Sequence, residues 1–306
     1  MQALLHKHPV RSALAALALL SLIWGYNWVI MKLALRDAGA FDFAALRTLL
    51  GAFSLFVVLI WMRRPWRPVQ AGTVFLLGLL QTTGFIGFSV WALQSSGVGK
   101  TVVLAYIMPF WVLLLAWPLL HEKLRGLQWL AVATALAGLV LLLQPWSLRG
   151  THFSNILAIL AGIFWAVSTI LAKKLRQDAN TDLLSLTAWQ MLFGALPLVA
   201  VAVALPGPPI HWTVNFIIAL SYNVVLGGAL AWLLWLYALK HLPAGVASLG
   251  MLATPAFSVW VAAIQLGERP DALETAGMLL IAATLALLSG IAIRQHRRTH
   301  PLMGQE

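Results

Sequence analysis

The chain has 306 residues, 61% of them apolar and only 9% charged, with a mean hydropathy of +0.88. Soluble domains carry about 25% charged residues, so a water-facing globule, a disordered chain and a coiled coil are all excluded, and the surface must face lipid. The formal charge of +11 is spread singly, in twos and in threes between long apolar runs. That is the pattern of interfacial anchors; a nucleic-acid-binding surface gathers its basic residues on one face or arm. The absence of cysteine removes disulfides, thiolate nucleophiles and cysteine metal sites.

Ten nearly uncharged runs follow one another, at about 12–35, 42–61, 71–93, 98–120, 126–143, 153–175, 183–205, 213–239, 244–266 and 271–293. A spanning helix needs about 20 apolar residues. These runs are that long and do not alternate, so they predict helices, with no barrel strands and no room for a soluble domain. The expected fold class is therefore an all-α membrane protein with ten transmembrane helices. The first run follows His6, Lys7, His8 and Arg11 as a secretory signal would. It continues apolar through Trp24, Trp28 and Leu35 without a small-residue cleavage pattern, which predicts a retained first helix.

Lys and Arg on alternate loops set the orientation. Fourteen fall on the side of the N-terminus, from Lys7 and Arg11 through the Arg63 and Lys173 clusters to Arg294, Arg297 and Arg298. Five fall on the other side, Lys32, Arg36, Lys100, Arg149 and Arg269. The positive-inside rule then predicts cytoplasmic termini, with 294–306 a basic cytoplasmic tail.

The chain also repeats itself. Trp24 and Lys32 recur as Trp165 and Lys173, 141 positions on. Leu49, Gly51 and Ala52 recur as Leu192, Gly194 and Ala195, 143 positions on. Ala92, Leu93, Gly99, Pro109, Leu120 and Glu122 recur as Ala238, Leu239, Gly245, Pro255, Leu266 and Glu268, 146 positions on. Two units, 12–144 and 151–293, each hold five spans. Five is odd, so the second unit enters the membrane from the opposite side. Inverted repeats around a central cavity are a recurrent architecture of secondary transporters, whose halves exchange inward-open and outward-open arrangements.

The stretch Trp24-Gly25-Tyr26-Asn27 followed by Lys32, the early Arg47 of the second span, and the paired ends Pro109/Glu122 and Pro255/Gly267/Glu268 resemble the EamA family of the drug/metabolite transporter superfamily, across nearly the whole chain. The resemblance implies a bacterial inner-membrane exporter of small metabolites, amino acids prominent among them, as in the related aromatic amino-acid exporters. It also implies that spans one to four and six to nine surround the cavity while five and ten stand outside. The few polar residues of those two, Gln128, Thr134, Thr275, Thr284 and Ser289, are compatible with that.

Candidate substrate-binding residues are Trp24, Asn27, Gln81, Tyr106, Trp165, Ser168, Tyr222, Asn223 and Met251. Trp24, Asn27 and Met31 share one helix face, and Gln81, Phe85 and Phe88 another. Together they predict an apolar and aromatic pocket with a few neutral polar groups, a composition suited to small ligands. An uncompensated amide in hydrocarbon costs a few kcal/mol. Asn27 must therefore face the bundle or a wet cavity, bonding either a substrate or a neighbouring helix. Arg47, several residues inside the second span, has three roles open to it: gripping a substrate carboxylate, pairing with Glu268, or snorkelling to the interface. Lys32 and Lys173 read as anchors. Pro109 and Pro255, at matching places in the two units, predict a kink or hinge near the site, so Pro109, Pro255, Arg47 and Glu268 form the candidate gating set. Glycines such as Gly25, Gly51, Gly84, Gly87, Gly227, Gly228 and Gly250 read mostly as small-residue packing.

All nine acidic residues fall in loops, at span ends or in the tail, which leaves no carboxylate relay at the membrane centre and points to facilitated flux or exchange. The stretch Ser95-Ser96-Gly97-Val98-Gly99-Lys100-Thr101 resembles the end of a phosphate-binding loop, but Gln94 stands where its first glycine belongs and no strand precedes it, so no nucleotide is expected. His121-Glu122 lacks the second histidine of a metalloprotease, and there is no Gly-x-Ser-x-Gly run. Neither an enzyme, a cofactor nor a metal site is expected. The partners are then a small-molecule substrate and the lipid bilayer, the rival readings being an intramembrane enzyme or the membrane subunit of a larger complex.

Overall fold

A computed structural model describes residues 9–68, 70–108, 110–112, 114–115, 126–144, 152–176, 182–241 and 253–299. Among them there is helix and turn and no strand, and each of the ten apolar runs carries a helix. The first unit holds α1 (Pro9–Ala34), α2 (Ala40–Trp61), α3 (Ala71–Gly78), α4 (Phe85–Ser95), α5 (Val98–Tyr106) and α6 (Leu127–Leu143). The second holds α7 (His152–Arg176), α8 (Leu183–Ala204), α9 (Val214–Ser221), α10 (Ala231–His241), α11 (Ala253–Gln265) and α12 (Ala272–Thr299). Six helical stretches are long and apolar enough to cross a bilayer: Ser12–Ala34, Ala40–Trp61, Ala71–Ser95, His152–Ala172, Leu183–Ala204 and Val214–Trp235. Shorter apolar helices accompany them.

Large apolar side chains stand outward along these helices, among them Trp61 (82% exposed), Val203 (77%) and Ile60 (68%). A water-facing protein does not tolerate such a surface; the chain is a multi-pass membrane protein. α12 runs on to Thr299, so much of the basic stretch assigned to a tail continues the helix. Arg and Gln are good helix formers, which suits this extension.

Two stretches are wound more loosely than an α-helix. A π-helical segment, Leu79–Gly84, joins α3 to α4, and a second, Tyr222–Leu230, joins α9 to α10. Shifted by the 146 positions that relate Ala92 to Ala238, 79–84 becomes 225–230, inside the second segment.

The main packing pairs are α2 with α8, α4 with α7, α1 with α11 and α6 with α12. At α3 and α8 the backbones nearly touch. A Cβ on Gly78 would lie 2.5 Å from the Gln190 carbonyl oxygen, and one on Gly194 would run into Thr82 and the Gly78 backbone. α6 and α12 meet in the same way, a Cβ on Gly277 falling 2.8 Å from the Gly138 carbonyl oxygen. Thr284 Oγ1 donates to Thr134 Oγ1 across that contact (2.8 Å), and Gln144 Nε2 bonds both carboxylate oxygens of Asp271 (2.9 and 2.8 Å). α6 and α12 bind chiefly one another, and no described residue of either lines the cavity below.

Candidate functional site

A cavity, part of it open to the outside, lies between α1, α2, the two π-helical segments, α4, α5, α7, α8 and α10. Its flanks are aromatic. Tyr106, Trp28, Phe85 and Trp165 follow edge to face, with ring centroids 6.2, 6.5 and 4.6 Å apart, and Trp24 meets Trp232 at 5.8 Å. Such contacts hold large rings in defined orientations.

The polar lining comprises Asn27, Arg47, Thr48, Gln81, Thr82, Ser89, Gln190 and Asn223. Thr48 is satisfied by its own helix, donating to the Ala44 carbonyl oxygen at 2.6 Å. Others are not. Asn27 Oδ1, Ser89 Oγ and Asn223 Oδ1 have no hydrogen-bond partner although their residues are only 6%, 2% and 1% exposed. Buried polar atoms are nearly always paired, and three exceptions belong to residues around one cavity. Among the described residues no hydrogen bond or ion pair reaches Arg47, the one charged side chain of the lining.

The π-helical segments supply much of this wall. Extra residues in a turn widen the helix and turn its side chains out of α register, which is why such segments collect at functional sites. The first presents Gln81 and Thr82, the second Asn223, Gly227 and Gly228. Trp24 Nε1 donates to the Gly227 carbonyl oxygen at 3.1 Å. Asn27 Oδ1 lies so close to the same residue that a Cβ on Gly227 would sit 2.7 Å from it. A side chain on Gly227 would push the Asn27 amide aside.

Of the residues expected from sequence, Trp24, Asn27, Arg47, Gln81, Tyr106, Trp165 and Asn223 come together on the cavity wall. Ser168 and Tyr222 do not line it. The Ser168 hydroxyl is tied back to the Trp165 carbonyl oxygen at 2.7 Å, and the Tyr222 hydroxyl donates to the Ile23 carbonyl oxygen at 2.9 Å, pinning the start of the second π-helical segment to α1. Pro255 is buried in α11, a helix that contributes no described residue to the lining. Met251, Pro109, Glu122 and Gly250 lie outside the described residues.

The pairing of Arg47 with Glu268 is not formed. The Glu268 carboxylate instead caps α5, accepting from the Val98 and Gly99 backbone N–H groups at 2.6 and 2.9 Å. The first N–H groups of a helix have no partner within it and carry partial positive charge, so they draw the acid. That is also the stretch resembling a phosphate-binding loop, and a carboxylate of the chain itself fills the place where an anion would sit. Lys32 is more than an anchor. Its Nζ donates to the carbonyl oxygens of Leu93 (2.6 Å) and Ser96 (2.9 Å) at the end of α4.

Sequence reasoning passed over Ser89, Gln190 and Trp232 as lining residues. A lone amide in the apolar run 183–205 was the available signal for Gln190, the same one that drew attention to Asn27.

A helical bundle exposing apolar side chains to lipid and holding unpaired polar groups around an internal cavity has the build of a membrane transport protein. The sequence profile of the EamA-like transporter family matches residues 11–144 and again 152–290, and the chain belongs to that family. Among its relatives, "Uncharacterized transporter YoaV" of Bacillus subtilis is 26% identical, the match covering 85% of this chain and 91% of that one. Two proteins named "Probable amino-acid metabolite efflux pump" are similarly related. The one from Salmonella typhimurium is 28% identical over 92% of this chain and 96% of its own length, and the one from Escherichia coli 27% over 86% and 90%. A solved crystal structure superposes with a TM-score of 0.63 at 19% identity, covering 93% of this chain and 99% of the other, and so shares the fold. The family and these relatives are transporters, not enzymes. A small-molecule substrate and the lipid bilayer are the partners this class implies.

Proposed function

We propose that the protein is a secondary transporter that exports small metabolites, amino acids foremost, across the bacterial inner membrane by alternating access. The observation that carries this reading is the cavity itself, walled by aromatic rings and edged with polar atoms that lack partners. Two relatives named for amino-acid metabolite efflux support the substrate class.

In this reading the chain crosses the membrane ten times as two inverted five-helix units, with both termini cytoplasmic. Several cavity residues are related by the displacements found in the sequence: Trp24 with Trp165 at 141, Thr48 with Met191 at 143, and Gln81 with Gly227 and Ile86 with Trp232 at 146. The matched π-helical segments support the same pairing. Two similar halves lining one cavity can exchange conformations and open it to either side in turn. No acidic residue lines the cavity among the described residues, which favours facilitated flux or exchange over a carboxylate proton relay.

Reconstitution of the purified protein tests this. Proteoliposomes loaded with a panel of labelled amino acids should release at least one of them faster than protein-free vesicles, with and without a pH gradient. Tryptophan substitution of Gly227, which fills the cavity wall, should abolish that release. Equal leakage from empty and protein-bearing vesicles across the panel would reject the reading.

A further inference from the structure

The polar groups of the cavity are not interchangeable. Arg47 brings a positive charge; Asn27 Oδ1 and Asn223 Oδ1 bring neutral acceptors without partners; no described acid balances the guanidinium. The side-chain amides of Gln81 and Gln190 also make no hydrogen bond to described residues. A guanidinium away from bulk water is costly unless paired. Water in an empty cavity satisfies it in part, whereas a carboxylate satisfies it through two parallel N–H···O bonds.

We propose that Arg47 is the specificity-determining residue of the cavity, binding the carboxylate of the transported molecule, so that the carrier takes carboxylates with an apolar body and rejects the corresponding amines. The inference rests on the cavity being the substrate site. A carboxylate on Arg47 neutralises the lining, and the rings of Trp24, Trp28, Phe85 and Trp165 receive the apolar part. An amine lacking the carboxylate leaves Arg47 unpaired and adds a second positive charge to a cavity with no described counter-charge.

Ligand-induced thermal stabilisation of the purified full-length protein tests the assignment. The probes are matched sets: phenylalanine, 3-phenylpropanoate and 2-phenylethylamine; leucine, 4-methylpentanoate and isopentylamine; tryptophan and tryptamine. At least one carboxylate should bind about tenfold or more tighter than its amine. Arg47→Gln should weaken that carboxylate by roughly 10- to 100-fold, the loss expected for hydrogen bonds to a charged group, and should narrow the gap to the amine. Arg47→Lys keeps the charge and should restore much of the preference, so a poorly folding glutamine variant still leaves the lysine variant and the wild-type comparison to decide.

The assignment is overturned if no carboxylate outperforms its amine, or if the preference survives in Arg47→Gln. Flux of the same compounds separates the two levels of the claim. Wild-type flux by Arg47→Gln sinks the role of Arg47 and leaves the exporter intact; carboxylate-selective binding without any flux does the reverse.

Discussion

Replacing Glu268 by alanine isolates one joint between the two halves of the chain. Its carboxylate accepts two backbone N–H bonds at 2.6 and 2.9 Å from the first turn of α5, and Gly97, just before that turn, is so close that an added Cβ would lie 3.1 Å from Oε2. A single N-capping side chain contributes about 0.5–2 kcal/mol. This one makes two bonds and brings a full negative charge to the positive end of a helix. Glu268 is partly exposed, so water takes over some of the bonding once it is gone, and about 2–3 kcal/mol is the expected loss for Glu268→Ala. Glu268→Gln keeps one acceptor and presents an amide donor to the second N–H, so it should fall about midway. Thermal unfolding in detergent, followed by tryptophan fluorescence, reads this as a midpoint lowered by roughly 5 °C or more for the alanine variant. If Glu268→Ala melts with the wild type, the carboxylate does not hold α5 and the joint between α5 and the second half is not the one seen here.

Gly194→Ala should lower stability by about 1–3 kcal/mol, since the new methyl group overpacks the crossing of α8 with α3, and should slow flux by spreading Gln81 and Thr82 from Gln190; unchanged melting and flux would disprove the contact. Asn27→Leu removes an unpartnered buried acceptor and should leave the melting temperature unchanged or raise it by the equivalent of about 1 kcal/mol while cutting flux severalfold; flux at the wild-type rate rejects a substrate role for Asn27. Gln144→Leu strips Asp271 of a two-pronged partner between α6 and α12 and should cost about 1–2 kcal/mol without altering flux per folded molecule, because neither helix lines the cavity. A change in substrate preference would contradict that separation.

The helices were legible in the sequence because lipid demands long apolar runs, and runs such as 183–205 and 71–93 correspond within a few residues to Leu183–Ala204 and Ala71–Ser95. The loosely wound segments were not, since π and α winding differ in backbone hydrogen bonding and carry no distinct composition. Asn27, Gln81 and Asn223 were legible as lone amides at membrane depth. Gln190 offered the same signal. The true partner of Glu268 was hidden for a different reason. It is the backbone of Val98 and Gly99, whereas reasoning from side chains alone offered Arg47 as one open partner, since both residues fall toward the same side of the membrane.

The separation of Glu268 from Arg47 has a consequence for how the cavity discriminates. Displaced by the 143 positions that relate Leu49 to Leu192, Arg47 corresponds to Gln190, and both line the cavity. The two halves thus present related stations to the same space, one charged and one neutral. Had Glu268 paired with Arg47, the lining would be electrically neutral and the stations nearly equivalent, and a ligand could lie either way round. With Glu268 committed to α5, the field inside the cavity points from the first half toward the second, and an asymmetric ligand is drawn into one orientation by its carboxylate. In a low-dielectric interior that charge difference outweighs the small differences in shape among the aromatic walls. Arg47 and Gln190 thus differ in charge at related positions of the lining, and that difference is what would let the cavity choose what it holds.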